Sequence, residues 1–403
     1  MAEDLNSLKE HYLRCVRCGQ CRSVCPVFAE IGNETASPRG KVFLAHMLAS
    51  GELKADAEIA HKLSLCLLCQ ACTKECPSAV PVHKIIMAAR SMLERDIPSP
   101  LHRLVFKDIW TKPTLLKASA RLLRGCQGLG LTVLGRSLGL LPPVLDLPGR
   151  LPRRSARSFI REITEAESTA KMRVGYFLGC TTNLLFPNVA RSTVAVLSRL
   201  GCEVVIPGDL KCCGLPQAEN GLPDAAKSLE SFNFAAFQRH GVDVIVTDCA
   251  SCFASLKESS AFQGVQILDL SSLLNDLLSG VKLDQDSRII TYHDPCHLAK
   301  AQGITAAPRE LLERTCVGFR EMPGANNCCG GGGSFCFFNY DTSMGILDKK
   351  ISSIKETGAA VVATCCPSCM MQIRHGLLKS GQNIIVAHPV ELLAQNLGLA
   401  QTI

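Results

Sequence analysis

Eighteen of the 23 cysteines in this 403-residue chain stand in four ordered clusters. Two have the spacing Cys-x2-Cys-x2-Cys-x3-Cys-Pro: Cys15, Cys18, Cys21 and Cys25 before Pro26, and Cys66, Cys69, Cys72 and Cys76 before Pro77. The other two are five-cysteine sets with one layout. Cys180 precedes Cys212-Cys213-Gly214 and then Cys249-x2-Cys252; Cys296 precedes Cys328-Cys329-Gly330 and then Cys366-x2-Cys369. The thiolate is the form of cysteine that binds metal, and dense, regularly spaced thiolates are the ligands of iron–sulfur clusters. The chemistry on offer is one-electron transfer.

Other uses of so many cysteines fit less well. Disulfide scaffolds are small and secreted, whereas this chain is long. Met1-Ala-Glu-Asp-Leu5 places acidic residues where a signal peptide carries a positive n-region, so a reducing cytoplasm is expected. Zinc takes four ligands in a tetrahedron, which a five-cysteine group overfills. In the four-cysteine runs, three close thiolates hold three irons of a cubane, and the distant fourth serves the other cluster. Cys15, Cys18, Cys21 and Cys76 are expected to hold one [4Fe–4S] cluster, and Cys66, Cys69, Cys72 and Cys25 the second. Five thiolates exceed what one cubane needs and point to a non-standard cluster with additional or bridging ligation. Gly214 and Gly330 free the backbone for an unusual turn. A thioredoxin-like dithiol is the rival reading of Cys249/Cys252 and Cys366/Cys369, yet it requires neither the distant cysteine nor the adjacent pair.

Five cysteines stand outside these sets. Cys202 and Cys316 occupy similar places in two halves of the chain and read as small buried residues. Cys126 falls in a basic stretch. Cys336 and Cys365 sit near the second five-cysteine set, as buried residues or reserve thiols. His293 and His297 flank Cys296 in His-Asp-Pro-Cys-His, placed to tune a cluster, relay protons or fix the loop by a hydrogen bond. Gly330 to Gly333 lacks the Lys-Ser/Thr of a P-loop and the setting of a dinucleotide fingerprint; its expected role is close backbone approach to a cluster. The sequence carries no flavin fingerprint, so a flavin needed for substrate oxidation has to come with another subunit.

The elements that must hold these thiols follow from pattern. Residues 1–100 contain both four-cysteine runs and read as helices without strands: Lys41 to Leu48 after a break at Ser37-Pro-Arg-Gly40, and Val82 to Arg95. Residues 171–403 are an internal repeat. Cys180, Cys212 and Cys213 recur 116 residues on as Cys296, Cys328 and Cys329, and Cys249 and Cys252 recur 117 on as Cys366 and Cys369. Apolar runs lead into the first cysteine of each half (Arg173 to Leu178, Arg288 to Tyr292). Others lead into each Cys-x2-Cys (Val242 to Thr247, Ala359 to Thr364), and all four read as buried strands. Helical stretches lie between: Asn188 to Leu200 and Ala225 to Arg239, then Ala307 to Arg314 and Thr342 to Thr357. Such alternation argues for parallel α/β units, whose sites gather outside the carboxyl ends of strands. The expected class is α+β multidomain. It comprises a helical ferredoxin-like domain (1–100), a basic amphipathic linker (101–170), and two pseudo-symmetric α/β domains (171–285 and 286–403).

The net charge of +7 is unevenly spread. Between Leu101 and Arg161 stand twelve Lys and Arg against two Asp. Leu104, Val105, Ile109, Leu115, Leu116, Ala120 and Leu123 lie among them in an amphipathic pattern. No nucleic-acid fold signature accompanies the segment, and nucleic acid is not an expected partner. It reads as a linker wrapped on its own protein, or as a patch for an acidic partner or a membrane surface. On the second reading Arg150, Arg153, Arg154 and Arg157 carry a salt-sensitive attachment. The most apolar stretch, Gly128 to Leu147, contains Arg136, Pro142, Pro143 and Asp146 and is not expected to span a bilayer. The chain is expected in the cytoplasm, soluble or peripheral on the inner face of the membrane.

Two ferredoxin runs followed by two Cys-Cys-Gly (CCG) sets make the chain resemble, over essentially its whole length, a known family. This is the family of iron–sulfur subunits of glycolate oxidase and FAD-linked D-lactate dehydrogenases. Ser37-Pro-Arg-Gly40 and the linker position belong to the resemblance. The same order of motifs occurs in the D-type subunit of heterodisulfide reductase, and the C-type subunit of anaerobic glycerol-3-phosphate dehydrogenase is a third relative. The resemblance implies that Cys180, Cys212, Cys213, Cys249 and Cys252 ligate one non-cubane [4Fe–4S] cluster. Cys296, Cys328, Cys329, Cys366 and Cys369 would ligate another, so that one or two such clusters accompany the two cubanes. It further implies an electron-transfer subunit of a glycolate or D-lactate oxidoreductase. The partner is an FAD-containing dehydrogenase subunit, and the acceptor a quinone or another, membrane-associated carrier. Members of the glycolate oxidase type often have an incomplete first CCG set. Both are complete here, which leans toward the heterodisulfide reductase pattern, in which the catalytic chain cleaves a disulfide at a non-cubane cluster. A non-catalytic adaptor feeding a membrane complex through the basic segment is the third expectation.

Overall fold

The computed structural model describes residues 4–138 and 151–399. Its N-terminal part packs short helices, with no strand among the described residues. Ser37 caps helix Pro38–Ala49 by accepting from the Gly40 N–H at 3.0 Å. The Ser-Pro-Arg-Gly stretch is therefore the first turn of that helix rather than a break before it, since a Ser cap followed by Pro is a start signal. Helix Val82–Asp96 leaves the second run as expected. Its Val82, Ile85, Ile86, Ala89 and Leu93 lie at helical spacing and form one core with Val42, Ala45, Leu48, Ile59 and Leu63.

Beyond residue 160 strands and helices alternate. The first sheet contains β1 (Ile163–Thr164), β2 (Met172–Tyr176), β3 (Cys202–Val205), β4 (Val244–Thr247) and β5 (Ile267–Asp269), in the order β1-β3-β2-β4-β5. All pairings are parallel except β1 on β3, where Ile163 faces Val205. The second sheet contains β6 (Asp286–Tyr292), β7 (Cys316–Phe319), β8 (Val361–Ala363) and β9 (Ile385–Ala387), all parallel, in the order β7-β6-β8-β9. β4 and β8 are buried along their whole length, as parallel strands covered on both faces are. Helices Pro187–Arg199, Pro223–Gln238, Ala306–Thr315 and Tyr340–Glu356 start and stop within two residues of their expected bounds. One buried core runs through both sheets.

In each sheet the strand leading to the first cysteine lies beside the strand leading to the Cys-x2-Cys pair: β2 by β4, and β6 by β8. The intervening strand, β3 or β7, pairs on the other side. The strand order thus reverses between β2 and β4 and between β6 and β8, which opens a crevice at their carboxyl ends.

The segment read as a linker is helical and docked. It forms Pro100–Arg103, a wider turn at Leu104–Ile109, Pro113–Gly128 and Leu131–Ser137. Phe106 is buried, Trp110 stacks on it at 5.6 Å, and the Phe106 carbonyl accepts from Gln217 Nε2 at 3.0 Å. Strand β1 joins the first sheet from within this same stretch. Arg150 and residues 139–147 of the apolar run fall outside the described residues. Arg157 does not fit the expected surface role. Its guanidinium donates to the Pro207 carbonyl at 2.6 Å and the Ile206 carbonyl at 3.5 Å, holding the loop after β3. Among the described residues no helix is long and apolar enough to cross a membrane.

One side chain joins the helical part to the first sheet. The Arg90 guanidinium donates to the carbonyls of Leu63, Ser64 and Cys66 (3.1, 3.1 and 2.7 Å) and to that of Glu219 (2.9 Å). Gly221 packs so closely on this point that a Cβ there would lie 2.5 Å from the Arg90 carbonyl oxygen.

Candidate iron–sulfur centres

Each ferredoxin-type run is a loop that ends in a single helical turn, Gln20–Ser23 or Ala71–Lys74. Among the described residues the only non-glycine positions with positive φ are Arg17 (55°), Leu68 (52°), Gln70 (59°) and Ala79 (50°), all in or just after these runs. Arg17 and Leu68 precede the second cysteine of their runs, and Gly19 (91°) and Gln70 follow it. A left-handed L-residue costs about 1–2 kcal/mol, and such strain concentrates at functional sites. Arg39 steadies the first loop by donating to the Arg17 carbonyl at 2.7 Å, while Glu34 holds its guanidinium from the other side. That is the use of the arginine in Ser-Pro-Arg-Gly.

Cys25, Cys66, Cys69 and Cys72 line one cavity, although Cys25 is far from the others in sequence. Burial pushes the thiols of Cys25 and Cys72 up and that of Cys69 up to about 12. The buried Lys41 ammonium, donating to the Ala36 carbonyl, counters this at Cys25. In the first run, burial raises Cys21, with Cys15 and Cys25 adding repulsion. Cys15 and Cys76 both pack against the helical core, and Cys18 is exposed.

The CCG thiols sit where strands end and helices begin. Cys180 opens helix Cys180–Leu185 and Cys249 is the N-cap of Ala250–Glu258. Cys296 opens Cys296–Ala299 and Cys366 is the N-cap of Pro367–Lys379. Helix N-termini favour the anionic thiolate. The Cys-Cys-Gly loops close over these ends, turning at Gly214 (φ 94°) and Gly330 (φ 83°). A Cβ on Gly330 would lie 2.4 Å from the Ser343 carbonyl oxygen.

The ten thiols form one continuous series. Hydrogen bonds link Cys180, Cys212, Cys213, Cys252 and Cys249 in turn, then cross between the sheets from Cys249 to Cys366. From there they continue through Cys369, Cys329, Cys328 and Cys296. Cys180, Cys213, Cys328 and Cys366 are held below the usual thiol range, because Cys212, Cys296 and Cys249 donate to them. Donating hydrogen bonds to neighbouring sulfurs, together with burial, raises Cys212, Cys252, Cys296 and Cys369. Sulfurs packed this closely cannot all ionise without cations among them, and iron is the cation such thiolate sets bind. The His293, Cys329 and Cys369 ligand atoms converge within 4.8 Å. Among the described residues the buried His293 Nδ1 has no hydrogen-bond partner, and burial holds the imidazole neutral by lowering its pKa to about 3. A neutral imidazole beside two thiols fits a bound metal centre.

Around the sulfurs lies a polar frame that spacing did not announce. Asp248, directly before Cys249, accepts from Thr182 Oγ1 at 2.6 Å, and its carbonyl lies 2.9 Å from His388 Nε2. Asp294 takes a bidentate pair from Arg309 at 2.9 and 2.8 Å. His297 Nδ1 lies 3.0 Å from the hydroxyl of Ser251, which stands between Cys249 and Cys252. His297 thereby fixes its loop across the two sheets, the simplest of the roles open to it. The one signal in the sequence for Asp248 and Asp294 is their place within two residues of a ligand-type cysteine.

Cys202 and Cys316 are buried at the starts of β3 and β7, outside the sulfur series. Cys336 and Cys365 are buried as well, and Cys126 is half-buried. The tetraglycine brings one CCG loop against a ferredoxin run: a Cβ on Gly332 would lie 2.4 Å from Leu67 Cδ2. At the same junction Cys69 and Cys328 share a buried cluster, and Cys328 repels charge on Cys69.

A helical dicluster unit followed by two α/β cysteine sites defines a 4Fe–4S oxidoreductase subunit. Residues 11–80 match the 4Fe-4S dicluster domain family, and residues 174–257 and 290–374 each match the cysteine-rich CCG domain. The chain is 30% identical to the probable glycolate oxidase iron-sulfur subunit of Bacillus subtilis, over 96% of this chain and 94% of that one. It is 25% identical to the glycolate oxidase iron-sulfur subunit of Escherichia coli (95% and 93% covered). It is 26% identical to the D-type subunit of the dihydromethanophenazine:CoB–CoM heterodisulfide reductase of Methanosarcina barkeri (96% and 94%). The chain belongs to the family of the glycolate oxidase iron–sulfur subunits.

Proposed function

We propose that this chain is the electron-transfer subunit of an FAD-linked oxidoreductase acting on a 2-hydroxyacid, glycolate or D-lactate. A partner flavoprotein supplies the electrons, and a quinone or other membrane-associated carrier takes them. The observation that carries this reading is the series of neighbouring thiols from Cys296 to Cys180, with Cys69 of the ferredoxin part sharing a buried cluster with Cys328. Iron–sulfur clusters, when bound, supply one-electron transfer.

In this reading Cys15, Cys18, Cys21 and Cys76 hold one cubane, and Cys66, Cys69, Cys72 and Cys25 the other. The Cys296 and Cys180 sets hold one non-cubane cluster each, within two pseudo-symmetric domains whose strands follow the same order. The order of the sets along the route is then Cys15, Cys66, Cys296, Cys180. The chain's own residues orient and insulate them. Arg39 and the left-handed turns shape the first loops, Cys180 and Cys366 at helix N-termini are the thiols held low, and eight of the ten CCG thiols are buried from water. The reading places the protein in the cytoplasm, peripheral on the inner face of the membrane.

The second reading is a disulfide reductase. The contact of Cys249 with Cys366 favours it, because it sets two complete CCG sites against each other. Low-temperature EPR on the anaerobically purified native complex, before and after glycolate or D-lactate, separates the two. New reduced-cluster signals with flavin in the preparation support the hydroxyacid reading. Clusters that dithionite reduces and neither acid does would overturn it in favour of the disulfide reading.

A further inference from the structure

Helix Pro113–Gly128 turns its apolar side outward. Leu115, Leu122 and Leu129 recur every seven residues, so they form one stripe along the helix and its end. They are 43%, 71% and 78% exposed, and the helix buries no residue. Exposed Leu131 and Leu138 extend the apolar surface along the next helix. Lys117 and Arg124 lie on the opposite side of the helix and the exposed Arg121 on its flank. With Arg153 and Arg154 they line a groove of about 530 Å³ against the body of the protein. Among the described residues no acidic side chain lines this groove, and the sequence has no Asp or Glu between Asp108 and Asp146. Arg124 Nε and Ser155 Oγ are buried in it without hydrogen-bond partners among the described residues. An amphipathic helix of a soluble protein buries its apolar stripe; this one presents it to the outside and keeps its cations behind.

We propose that this face docks on an anionic phospholipid bilayer. The leucines enter the boundary between headgroups and acyl chains, and the groove's cations and two unpartnered donors meet headgroup phosphates. Apolar area combined with Lys and Arg on the polar side is how interfacial helices bind such surfaces. A protein partner fits less well: the stripe is leucine throughout, without the Trp or Tyr anchors that dominate protein interfaces, and its charge has one sign. Leu184 also lines the groove and belongs to the helix that Cys180 opens. The bilayer therefore lies at the Cys180 end of the sulfur series, and the exposed Cys18 marks the other end. The proposal rests on the electron-transfer reading only for its purpose, delivery to a membrane-held acceptor.

The test is vesicle co-sedimentation of the anaerobically purified, iron-loaded full chain without substrate. Vesicles are phosphatidylcholine alone, or equal parts phosphatidylcholine and phosphatidylglycerol. The expected result is sedimentation with the anionic vesicles only, weakened by salt. Leu122→Glu with Leu129→Glu should weaken binding at least about tenfold, and Arg121→Gln with Arg124→Gln should reduce it and flatten its salt dependence. Iron content and visible spectrum unchanged from wild type show that these substitutions leave the fold intact. Failure to sediment with anionic vesicles at low salt overturns the proposal, as does undiminished binding of the leucine variant. Retention by a flavoprotein subunit through the same leucines, with no vesicle binding, also overturns it and makes the stripe a protein interface. Cluster reduction by hydroxyacid is read in solution, so failure there leaves the vesicle result standing.

Discussion

The ferredoxin-type runs and the CCG sites hold thiols by opposite means. In the runs the backbone itself is bent around the cysteines, through left-handed Arg17, Leu68 and Gln70, with single helical turns and no sheet behind them. Cys69 is the one fully buried thiol of those eight. In the CCG sites strand ends and the helices that follow them bring the cysteines together, and the local exceptions are glycines, Gly214 and Gly330. Strain in the first case has to be balanced by what the loop binds, whereas in the second the parallel sheet supplies the geometry. The difference suits a part that meets a partner at its surface and a part that shields its sulfurs from water.

The largest effect is expected from Cys328→Ser. It should remove one non-cubane signal and about four irons per chain while sparing both cubanes; unchanged iron, sulfide and EPR would sink the ligand assignment. Next in size is Arg90→Met, which strips the donor from four carbonyls at the joint between the two regions. A loss of about 3 kcal/mol in anaerobic urea unfolding is expected, and a loss under about 1 kcal/mol would place the joint elsewhere.

A pH effect should belong to the CCG region. Burial raises the Glu391 carboxyl from its ordinary 4.5 to about 7. The folded state then binds the extra proton between these values, so stability falls as pH rises through that window, by roughly 1.4 kcal/mol per unit. Urea unfolding of Glu391→Gln across the same range should lack this slope; an identical slope would refute the assignment. The smallest effect sharpens the strain argument. Gln70→Gly should gain about 0.5–1 kcal/mol by relieving a left-handed glutamine, read as a higher Tm. A lower Tm would mean that the glutamine side chain matters more than its φ.

Much of the fold is legible locally. β-branched runs and the 116-residue repeat place helices and strands to within a few residues, because each rests on contacts between neighbours in sequence. Ser37-Pro-Arg-Gly40 suggests a break from its Pro and Gly, yet both residues serve a cap. Arg157 suggests a surface cation, because a solvated arginine and a buried clamp on a distant loop look alike in sequence. The His297–Ser251 contact and the Arg90 joint carry no local signal at all.

What the residue types and spacing determined is the ligand chemistry: which thiols exist, in what groups, and on which kind of element. Tertiary structure alone decided that Cys249 meets Cys366, that Cys69 abuts Cys328, and that the leucine face of Pro113–Gly128 points outward. The reason is physical. Spacing governs turns and hydrogen bonds a few residues apart, whereas the relative placement of distant elements follows from burying a shared core.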